Sequence, residues 1–467
     1  MKKRFLLFAF LLISVGTIYA QMPSALVNFL NKKELAHAAV SLKAIDLSTS
    51  KIIVSYNENM SLTPASNMKT VTTATALEVL GSGFYFETPL FYDGLIQETT
   101  LNGNLYIKGN GDPTLGSEFT STGDKENFLK EWLSAINRAG IRKITGNIVV
   151  LDQLFGYDGV SPKWLLEDIG NYYAPGIYGI SIFDNMYRVY LQSSAFGSKA
   201  VVLYTKPQVY NLKLTNYIKV SGDSSDDASI FGIPFANEVR LYGNIPPNQS
   251  SYVLKGAIPD PGLFLAYYFR DYLQKNGITT EGQATTYRLN PVDPTGENFL
   301  CAVRSVNLAS IIQTVNVESN NHYAEHLYKV LTVLNSIDIK EYWKNKGLDS
   351  DALFMYDGNG ISPKNAISTG FLIDLLVYMD KQSKYSDAFY KSLPVAGKNG
   401  TVASLLKNTP LSGKARLKSG TMSNVSSYSG YVENNGKRYA VALIINNFTG
   451  NRSDLRKEIE QLFNGLF

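Results

Sequence analysis

The chain has 467 residues, 45% of them hydrophobic, and a single cysteine, so it can build a large core but no internal disulfide. Its 44 basic and 40 acidic side chains nearly cancel, and three of the basic ones fall within the first four positions, which leaves about +1 beyond residue 20. That balance excludes an electrostatic claim on nucleic acid or on an anionic membrane. Lys2, Lys3 and Arg4 precede an apolar run from Phe5 to about Ile18, and Ala20 stands before Gln21. The run is short for a bilayer and ends on a small residue, so residues 1–20 read as a signal peptide and no stable membrane anchor is expected. The only cysteine is Cys301, so no lipid attachment is expected at the cleavage point.

Val40–Asp46 and Lys51–Tyr56 read as two strands of a hairpin. Thr63 and Pro64 then open a helix that runs to Leu80, where Gly81 stops it, so Ser66 falls at a helix start. Residues 86–257 are rich in short alternating segments, with one clear helix over about 124–139, and are expected to form a β-rich insert of two lobes, the smaller over about 194–240. Helices return from Pro261, over about 261–275 and 308–334. A second hairpin, 425–446, turns at Asn434-Asn435-Gly436 and is followed by a last helix from about Ser453. Strands supplied by both ends assign 21–85 and 258–467 to one α+β domain, an antiparallel sheet flanked by helices.

A serine becomes a nucleophile when a base takes its proton, and a lysine three residues on along a helix lies on the same face. Ser66-Asn67-Met68-Lys69 meets that need. The pattern alone is weak, since Ser48…Lys51 and Ser404…Lys407 share it. Ser66 differs because the turns after it are small and apolar (Val71, Ala74, Ala76) and can be buried beneath a site. Ser319-Asn320-Asn321 and Lys418-Ser419-Gly420-Thr421 follow in the order known for penicillin-interacting enzymes.

With these motifs, and with Gly109–Leu115, Gly256–Pro261, Asp357–Ser362 and Leu393–Gly397, the sequence resembles the class C low-molecular-mass penicillin-binding proteins, the D-alanyl-D-alanine carboxypeptidase/endopeptidases. The resemblance spans nearly the whole chain beyond residue 20 and includes a large insert between the first two motifs. It implies a penicillin-binding/serine β-lactamase-like catalytic domain. It also implies acyl-enzyme chemistry on peptidoglycan peptides ending in D-Ala-D-Ala, β-lactams as covalent inhibitors, no metal or other cofactor, and a periplasmic location. Ser66 is then the nucleophile, Lys69 the base, Ser319 a proton relay and Asn321 a holder of the substrate amide. Lys418, Ser419 and Thr421 bind the terminal carboxylate, with Gly420 between them, and backbone N–H groups of Ser66 and Thr421 form the oxyanion hole. Met422 and Asp158 are candidates for gripping the peptide. Burial and the nearby Lys418 are expected to depress Lys69 so that it can accept a proton.

Two other enzyme classes compete. His322-Tyr-Ala-Glu-His326 spells an inverted zincin motif, but zinc catalysis needs a third ligand and no glutamate occurs between Glu341 and Glu433. A serine β-lactamase shares the motifs, yet Glu341 is the one glutamate available for deacylation between the second and third motifs beyond the motif helix, and the large insert argues against a compact lactamase.

Overall fold

The computed structural model describes residues 22–120, 123–223 and 225–467; the signal peptide expected over 1–20 lies outside them. Strands from both ends of the chain form one five-stranded antiparallel sheet, in the order Ile52–Tyr56, Ala39–Asp46, Lys437–Asn446, Val425–Asn434, Ala415–Met422. The turn between the last two strands in sequence has positive φ at Asn435 and Gly436 (50° and 73°), the conformation that asparagine and glycine tolerate best.

Successive side chains of a strand point to opposite faces, and here both faces are covered. Val441, Leu443 and Ile445 pack with Leu26, Phe29, Leu455, Ile459 and Phe463 of the first and last helices. Ala440, Ala442 and Ile444 face a helical layer built around Met68–Leu80, Leu308–Val317, Asn321–Lys329 and Thr369–Lys381. The helix Met68–Leu80 is buried from Met68 to Leu77. Its threonines fit there because their hydroxyls donate to backbone carbonyls, Thr73 to Lys69 O (2.7 Å), Thr75 to Val71 O (2.8 Å) and Thr72 to Gly358 O (2.6 Å).

The insert contains several small sheets and mixes parallel with antiparallel pairing. Its C-terminal edge differs from the expected residue 257. Ala284–Thr286 pairs in parallel with Ile148–Leu151, and Asn298–Arg304 lies antiparallel to Glu87–Tyr92. The helix Pro261–Lys275 buries Phe264, Leu265, Phe269 and Leu273 in the insert's own core with Phe128, Trp132 and Ile136. The helical pattern that follows residue 257 therefore covers the insert's sheet, and the chain rejoins the helical layer of the large sheet at Leu308. The smaller lobe also reaches past 194–240, because Met186–Gln192 pairs with both Val201–Lys206 and Tyr252–Ala257. Among the described residues no helix is long and apolar enough to cross a membrane.

Candidate active site

Ser66 lies in a single 3₁₀ turn, Ala65–Asn67, that leads into the buried helix. Ala65 has φ +49°, and Ser319, at the second motif, has φ +55°. Non-glycine residues are seldom left-handed, and such strain gathers where surrounding structure fixes a side chain for chemistry. The turn is clamped from the sheet side. Asn67 donates to Ser427 Oγ and accepts from Ser429 Oγ, each at 2.7 Å, and Ser427 Oγ donates to Pro64 O at 2.6 Å. A Cβ on Gly420 would come within 2.3 Å of Pro64 O, so glycine lets the third-motif strand press against the nucleophile's turn.

Lys69 is fully buried and its Nζ is the hub of the site. It donates to Ser66 Oγ at 2.9 Å, to Asn321 Oδ1 at 2.5 Å and to the carbonyl of Asn359 at 2.5 Å. Burial pulls the lysine down to about 7, against the opposing pull of Asp357 and Glu325. Lys418 is also fully buried, donating to Ser319 Oγ at 3.0 Å and to Ser419 O at 2.6 Å, and is held well below the ordinary lysine value by burial and then by the charge of Lys69. The expected influence of Lys418 on Lys69 thus gives way to burial as the leading cause. Ser419 Oγ pairs with Thr401 Oγ1 at 2.7 Å.

Several participants lie outside the three catalytic motifs. The loop that supplies Asn359 O is organised by Asp357, whose carboxylate accepts from Gly360 N, Ser362 N, Asn365 Nδ2 and Trp164 Nε1 at 2.7–2.9 Å. Glu325 accepts from Gly358 N at 2.8 Å; it is buried, and burial raises its carboxyl to about 8. The insert reaches the centre directly, since Asn321 Nδ2 donates to Tyr173 O at 2.7 Å. A backbone carbonyl accepts a hydrogen bond whatever its side chain, so Tyr173 and Asn359 could not be singled out by residue type. Asp357 and Asn359 fall in the segment 357–362 that the resemblance already marked, but which of its groups reaches Lys69 is not written in that segment.

A cleft of about 260 Å3 contains Ser66, Ser319, Asn320, Asn321 and His322, with Tyr172, Tyr173, Lys255, Glu118 and Met186 of the insert in its wall. Larger cavities on the insert, one of about 490 Å3, include none of the motif residues. Ser419, Gly420, Thr421 and Met422 lie on the strand beside the nucleophile's turn and outside the cavity; Met422 offers its carbonyl to Arg452 at 2.6 Å. Asp158 does not join this group. Its carboxylate is 81% exposed, pairs with Lys329 at 3.6 Å and does not line the cleft.

The His322 and His326 rings lie 4.5 Å apart, but the glutamate of the HxxEH stretch does not join them. His326 faces Ser181 Oγ (2.8 Å) with one ring nitrogen and Gly111 O (3.2 Å) with the other, while Glu325 turns to Gly358 N. Both histidines are held neutral by burial. Among the described residues no three His, Cys, Asp or Glu side chains form a group suited to a metal ion.

Comparison with known proteins bears on the whole chain. Residues 23–464 match the model of the D-Ala-D-Ala carboxypeptidase 3 (S13) family. A D-alanyl-D-alanine carboxypeptidase of Actinomadura sp. (strain R39) is 26% identical over 437 residues, covering 89% of this chain and 79% of the relative. In structure the chain is similar to penicillin binding protein 4 of Haemophilus influenzae, with TM-score 0.81 at 21% identity, covering 95% and 98% of the two chains. It is also similar to a predatory peptidoglycan endopeptidase of Bdellovibrio bacteriovorus, with TM-score 0.52 at 16% identity, covering 91% and 92%.

Proposed function

Because the chain belongs to the D-Ala-D-Ala carboxypeptidase 3 (S13) family, and is thereby a serine D-alanyl-D-alanine carboxypeptidase of the penicillin-binding kind, we propose that Ser66 is its nucleophile and Lys69 the base. The observation that carries this assignment is the buried Lys69 ammonium position, 2.9 Å from Ser66 Oγ and brought near neutrality by burial.

Ser66 Oγ attacks the carbonyl between the two D-alanines as its proton passes to neutral Lys69. Backbone N–H groups of Ser66 and Thr421 stabilise the developing oxyanion, an interaction worth about 3 kcal/mol per donor. Asn321 keeps its Oδ1 on Lys69 and uses one N–H on Tyr173 O, which leaves its other N–H for the acyl-side amide of the substrate. Ser319, bonded to Lys418, relays the proton taken up by Lys69 to the departing D-alanine amine, which leaves Lys69 neutral to accept a proton from the attacking water and hand it back to Ser66 Oγ. Lys418, Ser419 and Thr421 receive the terminal carboxylate. Water then releases the acyl group from Ser66.

The same acyl-enzyme step serves cleavage of a D-alanyl cross-link, and a fold shared with an endopeptidase supports including that reaction. β-Lactams are covalent inhibitors in this reading, since their ring amide presents the same carbonyl to Ser66. Export to the periplasm by residues 1–20 places the enzyme with its cell-wall substrate. Two units, about 22–85 with 306–467 and about 86–305, fit the sheet pairings better than a division at 257.

Labelled penicillin tests the assignment. Wild type should form a covalent adduct, Ser66→Ala none, and chelators should change neither labelling nor peptide release. Activity lost to chelation and restored by zinc would refute the serine mechanism.

A further inference from the structure

The helix Pro261–Lys275 gives one face to the insert's core, and its other face carries Tyr267, Tyr268, Asp271, Tyr272 and Lys275 in a single stripe. That stripe and the loop 207–212 wall a cavity of about 620 Å3. Tyr210 of the loop stacks on Tyr267, with ring centroids 3.7 Å apart and 16° between the planes, and the Arg270 guanidinium lies 4.9 Å from the Tyr267 centroid. The Tyr210 ring is thus braced, yet 49% exposed. Around it the side chains of Gln208, Asn211, Asp271 and Lys275 are exposed and enter no hydrogen bond or ion pair among the described residues. A held aromatic face ringed by free amide, carboxylate and ammonium groups suits a pyranose, whose axial C–H groups rest on the ring while its hydroxyls and N-acetyl amide meet the polar rim.

Position and charge narrow the ligand further. The cavity shares Glu126, Gln208 and Tyr268 with the neighbouring one of about 490 Å3, which in turn shares Glu118, Asp184 and Met186 with the cavity that holds Ser66. Tyr210, Asn211 and Tyr267 also wall another, of about 350 Å3. A row of adjoining pockets leading away from a nucleophile suits a polymer more than a single small molecule. Glu126 and Asp271 offset Lys206 and Lys275 along the row, so no field of one sign asks for a polyanion. The tyrosines are interleaved with hydrogen-bonding groups, without the continuous apolar centre of a protein interface. We propose that these pockets bind the glycan strand that carries the cell-wall peptides, with the Tyr210 ring as the platform for one sugar, so that the enzyme takes its peptide from a strand it already holds. This inference rests on the peptidoglycan substrate assigned above.

The test compares one peptide ending in D-Ala-D-Ala in two forms, free and attached to a short glycan strand of N-acetylated sugars. Wild type should show a kcat/KM about tenfold higher for the strand-borne peptide, the range of one good stacking contact. Tyr210→Ala should bring the strand-borne peptide to the level of the free one, with the rate on the free peptide and the penicillin adduct kept. Tyr210→Phe retains the ring and should retain the preference. Saturation-transfer NMR with a soluble N-acetylglucosamine oligomer gives a readout independent of catalysis: transfer to the sugar from wild type and from Ser66→Ala, and none from Tyr210→Ala. A wild type that forms the penicillin adduct but treats both peptides alike overturns this inference alone, as does a sugar signal that survives Tyr210→Ala. A wild type that forms no adduct and releases D-alanine from neither peptide overturns the carboxypeptidase roles and this inference with them.

Discussion

The two walls of the cleft satisfy their polar groups in different ways. On the wall built from the ends of the chain, Lys69 has three acceptors, Asn67 is bonded through both ends of its amide and Asp357 receives four donors, all buried. On the insert wall Tyr172 is half exposed and Lys255 has only an aromatic ring for company. Fully bonded groups in a low-dielectric site reorganise little, which suits a proton transfer; loosely held exposed groups adapt, which suits recognition. The comparison predicts that changes on the first wall strike the chemical step and changes on the second strike binding.

The largest effect should come from Lys69→Ala, which removes the base and should slow acylation by about two to four orders of magnitude, measured by stopped flow with a chromogenic β-lactam. An acylation rate near wild type would break the contrast at its centre and make Ser319 the next candidate base. Gly420→Ala should follow. Its Cβ meets the backbone at Pro64 O, so the strand or the nucleophile's turn must shift, and a displacement near 1 Å costs about a hundredfold in rate. The same assay reads it, with thermal unfolding as a control for folding.

Ser419→Ala should lower kcat/KM on a D-Ala-D-Ala peptide by about tenfold to a hundredfold through lost carboxylate binding, while acylation survives. The pH profile of kcat/KM tests the burial of Lys69. A base works in its neutral form, which is populated above its pKa, so the rate should rise through about pH 7 and fall by about tenfold at one unit below it. A rise centred near 10 would mean that the lysine is not desolvated. The smallest effect belongs to Asp158→Asn, where solvent screens an exposed carboxylate; kcat/KM should stay within about twofold.

Much of the first wall was legible in the sequence because its signals are local. Ser66 and Lys69 are one helical turn apart, the unbroken apolar run 440–445 suits a strand buried on both faces, and Asn435-Gly436 marks its hairpin. The three motifs also name the side chains that meet, Lys69 with Ser66 and Asn321, and Lys418 with Ser319. Tertiary structure alone decided the rest. Asn359 and Tyr173 act through backbone carbonyls, which every residue has, so only the path of the chain selects them. The strand Ala284–Thr286 joins the insert because its partner, Ile148–Leu151, lies more than a hundred residues earlier, and periodicity reports that a strand exists, not which strand it pairs with. Asp158 turned to solvent and Lys255 into the cleft for the same reason. The direction of a charged side chain follows from the packing of distant segments around it, and a spacing along the chain does not encode that packing.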